Sequence, residues 1–282
     1  MRKTLIAAAI AGAFVLPSAA MAQAAAAPAS PHSFSPNVGV VTDYLFRGVS
    51  QTHGKAALQG GLDYSHSSGL YAGVWASTIT WVKDAYGSGT TEIDYYGGYK
   101  NSFAGGDWTY DVGAIAYTYP GKGNAIPGTN VNPNTNEIYG AIGYKWVTMK
   151  YSRVVSSGFI GWLGNNGNTD TKGSDYLELN AAYDLGNGWG ISGHVGHQKV
   201  KNVLAVAATA SPSYNDWNLG VTKDAGYGVF GLTYSTTDAN GSCGNPLPGV
   251  NASAYCWGTN RNAQNFKDVA KSTVVLSFKK TF

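Results

Sequence analysis

Histidines, cysteines, serines and carboxylates are the residues from which this chain could assemble a catalytic or metal site. The five histidines are His32, His53, His66, His194 and His197. His194 and His197 lie three apart in a segment of alternating polarity. Their side chains therefore point to opposite faces and cannot share a metal ion in regular strand geometry. The nucleophile elbow G-x-S-x-G is absent, and Gly121-Lys122-Gly123 lacks the rest of a phosphate-binding loop. A lipid hydrolase on a barrel wall would need a Ser, a His and an Asn to meet, and nothing in the spacing selects such a trio. No catalytic, cofactor-binding or metal-ligating residue is expected. Cys243 and Cys256 sit close together in a polar stretch. In an exported protein that pattern reads as a disulfide, with a metal pair or two free thiols as the other readings.

The charged residues carry a different chemistry. Asp43, Arg47, Asp63, Glu92, Asp94, Asp111, Glu137, Lys145, Lys150 and Glu178 each fall opposite the apolar positions of an alternating segment, as do Gln59 and Asn180. Charge at bilayer depth is tolerated where it meets water or a partner. These residues are therefore candidates for lining a bore, and acidic members predominate, which would favour cations if the bore conducts. The same set admits a second reading, in which Arg47, Lys145 and Lys150 pair with the carboxylates and fill the interior. Asp63 is the expected partner of Arg47. Tyr96, Tyr139 and Tyr176 share the inward parity.

Positioning these side chains requires strands. The terminal run puts Val274, Leu276, Phe278, Lys280 and Phe282 on one face and Thr273, Val275, Ser277, Lys279 and Thr281 on the other. Successive strand residues face opposite sides, so a greasy face meets lipid while a polar face meets water. Twelve such segments can be counted. The first, Asn37 to Gly48, sets Val38, Val40, Tyr44 and Phe46 outward, and Val49 to Lys55 follows it as a brief connection. Later connections alternate between short turns, such as Gly186-Asn187-Gly188, and long loops, such as Thr237 to Ala270. Short periplasmic turns and long outer loops are the habit of outer-membrane barrels. Trp75, Tyr95, Tyr99, Trp108, Trp146, Tyr183, Trp189, Trp217 and Phe282 are expected to form outward aromatic girdles at the interfaces.

Composition agrees with lipid exposure. The chain is 12% charged and 13% aromatic, with 38 Gly and 19 Tyr. Charge is about half the level of an ordinary soluble domain. Arg2 and Lys3, the apolar run Leu5 to Leu16 and the small residues of Ala20-Met21-Ala22 form a secretory signal peptide over residues 1–22. Cleavage is expected between Ala22 and Gln23. Residues 23–35 read as an Ala/Pro-rich leader and 36–282 as one barrel domain. The net charge of +3 falls to +1 without Arg2 and Lys3, which gives no basis for a nucleic-acid partner.

The stretch Thr42-Asp43-Tyr44-Leu45-Phe46-Arg47-Gly48-Val49-Ser50-Gln51 resembles the opening motif of the TorF-type putative porins. Gln59 to Tyr64 and Gly69 to Ser77 are similar to that family's next strands, and the late cysteine loop and the Phe282 terminus are similar in kind. The resemblance implies an all-β, up-and-down transmembrane barrel in a Gram-negative outer membrane. The expected function is passive diffusion of small hydrophilic solutes or ions, without a cofactor. The expected partners are outer-membrane lipid, the solutes, the barrel-assembly machinery engaging the strand that ends at Phe282, and further copies of the chain. A non-conducting surface barrel for adhesion or envelope integrity is the rival reading. The cysteine loop is expected to fold into the mouth as a partial lid.

Overall fold

A computed structural model of the chain describes residues 30–122, 132–162, 170–203, 211–243, 253–258 and 265–282. The signal peptide with its Ala22/Gln23 cleavage site and residues 23–29 of the leader lie outside the described residues.

Among the described residues sixteen strands form three sheets. In chain order they are β1 His32–Val41, β2 Leu45–Phe46, β3 Val49–Ser50, β4 Ala57–His66, β5 Leu70–Thr78, β6 Thr91–Phe103, β7 Trp108–Thr118 and β8 Thr135–Tyr144. There follow β9 Val147–Val154, β10 Asp175–Gly186, β11 Trp189–Lys199, β12 Tyr214–Asp224, β13 Val229–Thr237, β14 Cys256–Gly258, β15 Phe266–Asp268 and β16 Thr273–Thr281. Twelve of them close one antiparallel barrel, each paired with its neighbour in sequence, with β1 between β16 and β4. Closure leaves no unpaired edge. The other four make two small hairpins, β2–β3 and β14–β15. Among the described residues one short α-helix, α1 Trp81–Tyr86, follows β5, and a single 3-10 turn at Ala104–Gly106 follows β6.

The expected count of twelve barrel strands holds, and β1 begins at His32, inside the stretch read as leader. At the short-turn end, Asn187 and Gly188 have φ of 54° and 76°. Two positive φ values in succession are what a two-residue hairpin with native twist requires.

The faces sort by parity. Leu58, Val112, Leu177, Val195, Leu219 and Val274 are exposed on the outer wall, whereas Glu92, Asp94, Glu137 and Asp216 are buried inside. Leu219 keeps 60% of its surface accessible and is one of many large apolar side chains exposed together on this wall, a continuous apolar surface of the kind that meets lipid or a partner. The interior is not uniformly polar. At the long-loop end Phe46, Ile79, Trp81, Val82, Tyr119, Val154 and Phe159 pack into an apolar cluster inside the mouth.

Three outward assignments are corrected. Tyr44, Phe46 and Trp75 point inward, the first two buried and the third half-buried against them. β1 ends at Val41, so Tyr44 and Phe46 belong to a separate hairpin rather than to the first wall strand.

Candidate functional site: a charged bore crossed by a hairpin

Residues 42–56 connect β1 to β4 and fold into the barrel. Leu45 pairs with Ser50 and Phe46 with Val49. Arg47 (φ 49°) and Gly48 (φ 79°) make the turn between them, the positive-φ pair of a type I′ connection. At the base, Asp43 accepts a hydrogen bond from Ser50 Oγ at 2.6 Å and lies 2.8 Å from Thr52 Oγ1. Gln51 N–H donates to the Tyr44 carbonyl at 2.7 Å. Burial raises the Asp43 carboxyl above its ordinary range, against the pull of these hydroxyls.

The hairpin spans the bore from wall to wall. On one side the Tyr44 hydroxyl donates to Glu92 of β6 at 3.1 Å, and its ring meets Trp75 of β5 edge-on at 5.4 Å. Phe46 packs edge-on against Tyr117 of β7 at 5.5 Å. At the tip, Arg47 Nη2 donates to Glu137 Oε2 of β8 at 2.7 Å, and Nη1 donates to Gln198 Oε1 of β11 at 2.7 Å. The guanidinium carbon sits 4.3 Å from the Tyr176 ring centre, 4.7 Å from Phe46 and 5.8 Å from Phe159. The Arg47 carbonyl accepts from the Tyr214 hydroxyl of β12 at 2.9 Å. Gly48 lies against Asp216 and Thr237 of the far wall.

A roof covers the hairpin. Ser50 N–H donates to the Val269 carbonyl at 2.8 Å, next to the β14–β15 hairpin. Trp257 of β14 lies 6.1 Å from Trp81 of α1. Cys256 is bonded to Cys243, as expected. The described parts of the late loop thus seat in the mouth on top of the first one. His53 is buried beneath this roof, with Nδ1 2.7 Å from Thr80 Oγ1 and 3.3 Å from Asp84 Oδ2. Asp84 would favour an imidazolium. Burial and the nearby Lys267 and Lys55 outweigh it and push His53 down to about 4.

Toward the short-turn end the bore is polar. Tyr96 donates to Asp63, which also accepts from Asn37 Nδ2 at 3.3 Å. Tyr71 donates to Asp111 at 2.6 Å and touches the Tyr139 hydroxyl. The Lys150 ammonium sits 4.3 Å from the Tyr139 ring centre, and Lys100 sits 5.1 Å from Tyr71. Glu178 accepts from Asn180 Nδ2 at 2.8 Å. His194 Nε2 lies 2.9 Å from Asp216 and its Nδ1 2.7 Å from Asn180 Oδ1. His197 faces outward from the same strand, so the two histidines do diverge.

Residues 25–282 match a single family profile, described as a bacterial protein of unknown function. The chain belongs to the Gcw_chp family. No curated protein matches this Gcw_chp chain. Among solved structures it is similar to the KdgM porin in complex with disordered oligogalacturonate, at 6% identity, with a TM-score of 0.50 over 88% of this chain and 99% of that one. It is also similar to the NanC porin, at 10% identity, with a TM-score of 0.51 over 89% and 99% of the two chains. At such identities the likeness establishes a shared barrel architecture. This Gcw_chp barrel is therefore porin-like in fold.

The structure places the sequence-derived site residues unevenly. Asp63, Glu92, Asp94, Asp111, Glu137, Lys150 and Glu178 are on wall strands with inward parity. Asp43 and Arg47 are interior too, but on the inserted hairpin instead of the wall. Arg47 pairs with Glu137, not Asp63, because the hairpin carries it across the bore. Lys145 does not line the bore. It occupies the β8–β9 turn at φ 53°, solvent-exposed, 3.9 Å from Asp107. A two-residue turn has no inward face, so strand parity does not extend to it. Asp216, Gln198, Lys279, Tyr71 and Tyr117 were not selected from sequence. The signal for Asp216 was present, since it alternates with the outward Trp217.

Proposed function

We propose that the chain is an outer-membrane channel for passive diffusion of small hydrophilic solutes, preferring cations. The carrying observation is the interior charge. Asp63, Asp111, Glu137, Glu178 and Asp216 face the interior against Arg47, Lys100, Lys150 and Lys279. An excess of fixed carboxylates concentrates cations and repels anions in a narrow pore. The KdgM structure carries a polyanionic oligosaccharide; the acidic bore here suits neutral or cationic solutes instead. The inserted hairpin would set the narrowest point.

A Gram-negative outer membrane is the setting that suits an apolar outer wall on a closed barrel. In that setting the assembly machinery would engage β16, which ends next to Phe282. Copies of the chain could associate through the lipid-facing wall. The motif Thr42 to Gln51, here seen to build the hairpin, is what links the chain to the TorF-type putative porins. The apolar packing at the mouth favours a second reading, a surface barrel that stays shut. Planar-bilayer recordings in a KCl gradient decide between them. The expected result is a conducting pore whose reversal potential has the sign of cation selectivity. Anion selectivity would refute the charge argument, and a seal without current would favour the closed barrel.

A further inference from the structure

We infer that the pocket holding the Arg47 side chain is a recognition site for solutes bearing a guanidinium group, and that the hairpin tip occupies it as a tethered stand-in. The inference deepens the channel reading and rests on it. The pocket has the parts that a planar cation needs. Glu137 contributes a carboxylate and Gln198 an amide oxygen, each 2.7 Å from a separate guanidinium nitrogen. Tyr176 and Phe159 contribute aromatic faces at 4.3 and 5.8 Å from the guanidinium carbon. Two oxygens bound to two guanidinium nitrogens, with rings alongside, is the recognition pattern of this group rather than of an ammonium.

Apart from Phe159, which stands on the loop between β9 and β10, the walls belong to the barrel, whereas the occupant belongs to a different loop. Glu137, Tyr176 and Gln198 lie on β8, β10 and β11, and they would stay in place if the hairpin withdrew. Buried acceptor capacity also remains beside the occupant. Glu137 Oε1 has no hydrogen-bond partner among the described residues, although the side chain is only 1% exposed. One tethered arginine leaves this capacity unused. A free solute carrying a guanidinium and a second donor could use more of it. Such a solute would compete with Arg47, displace the tip and widen the bore that it is about to enter.

The test uses the full chain, purified in detergent. In Arg47→Ala the vacated pocket should bind guanidinium ion at millimolar concentration about tenfold or more tightly than urea, its neutral isostere, as read by tryptophan fluorescence or calorimetry. In the wild type, arginine should speed hydrogen exchange at the Ser50 and Gln51 amides, whereas citrulline, in which a urea replaces the guanidinium, should not. In bilayers arginine should raise conductance where citrulline leaves it unchanged. Equal binding of guanidinium and urea by Arg47→Ala would overturn the assignment, as would unchanged exchange in the wild type with arginine. Should Arg47→Ala fail to fold, the wild-type exchange comparison decides alone. If no form of the protein conducts, the channel reading fails, while binding and exchange still rule on the pocket.

Discussion

Replacing Gly48 with Ala should loosen the hairpin while sparing the barrel. Gly48 has φ +79°, where an L-residue pays roughly 1–2 kcal/mol. A Cβ there would stand 2.5 Å from Thr237 Cγ2 and 3.0 Å from Asp216 Cβ, an overlap of the kind that costs about 1–3 kcal/mol when a packed site is overfilled. Against this stand the two charge-assisted bonds of Arg47, each worth roughly 1.5–3 kcal/mol. The hairpin should therefore stay seated but open more often. A loss of about 3 kcal/mol corresponds to about a hundredfold rise in the opening equilibrium. The assay is hydrogen exchange at Ser50 and Gln51, whose amides donate to Val269 and Tyr44. Gly54→Ala is the matched control. Gly54 also has positive φ, +74°, but nothing lies within 4 Å of its Cβ position, so only the backbone contribution should appear. Of residues 42–56 only Thr42 bonds to the barrel ladder, through Leu276 of β16, so thermal unfolding of the barrel should not move in either variant. Equal exchange rates in the two variants would refute the claim that the tip is wedged against the far wall. A large drop in barrel melting would refute the claim that the hairpin is an insert independent of the wall.

Further outcomes follow from the same geometry. Leu219→Arg, on the outer wall at 60% exposure, should destabilise the barrel in bilayers by roughly 2–4 kcal/mol if it lies near mid-depth. Asn218→Arg on the inward face of the same strand should be far milder, and urea titration in vesicles separates the two. Cys243→Ser opens a link spanning 13 residues and should destabilise the roof by about 3 kcal/mol on loop entropy. Limited proteolysis should then cut the late loop sooner, with barrel melting unchanged. His53 is held near 4 by burial, below its ordinary 6.5. A histidine kept neutral when folded lends its stability above 6.5 and loses it as pH falls toward 4. The roof should accordingly weaken over that window by on the order of 1–2 kcal/mol after solvent screening. Exchange at roof amides across the window tests this, and His53→Gln should flatten the profile.

Much of the wall could be read from local pattern. Period-2 alternation located twelve strands, and Gly186-Asn187-Gly188 marked a hairpin turn, because both are set by backbone geometry within a few residues. The inward parity of Glu92, Asp94, Glu137 and Glu178 followed from the same rule. The rule misled over Thr42 to Gln51. Tyr44 and Phe46 continue the parity of Val38 and Val40, so they read as one wall strand facing lipid. They do lie in extended chain, but that chain has left the wall and buries the same aromatic rings against Trp75 and Tyr117. Trp75 misled for a related reason, since an aromatic ring is equally at home at a lipid interface and under a packed roof.

The sequence by itself determined that this polypeptide closes into a barrel with an apolar exterior and with charged side chains turned inward. Both properties are sums over short, repeated, local choices of side chain. Only the tertiary structure decided where Arg47 goes, which carboxylate it meets and what covers it. Those contacts join residues 90 and 151 positions apart, and distances of that length are settled by how the strands wrap and how the loops fall inward, not by any spacing along the chain.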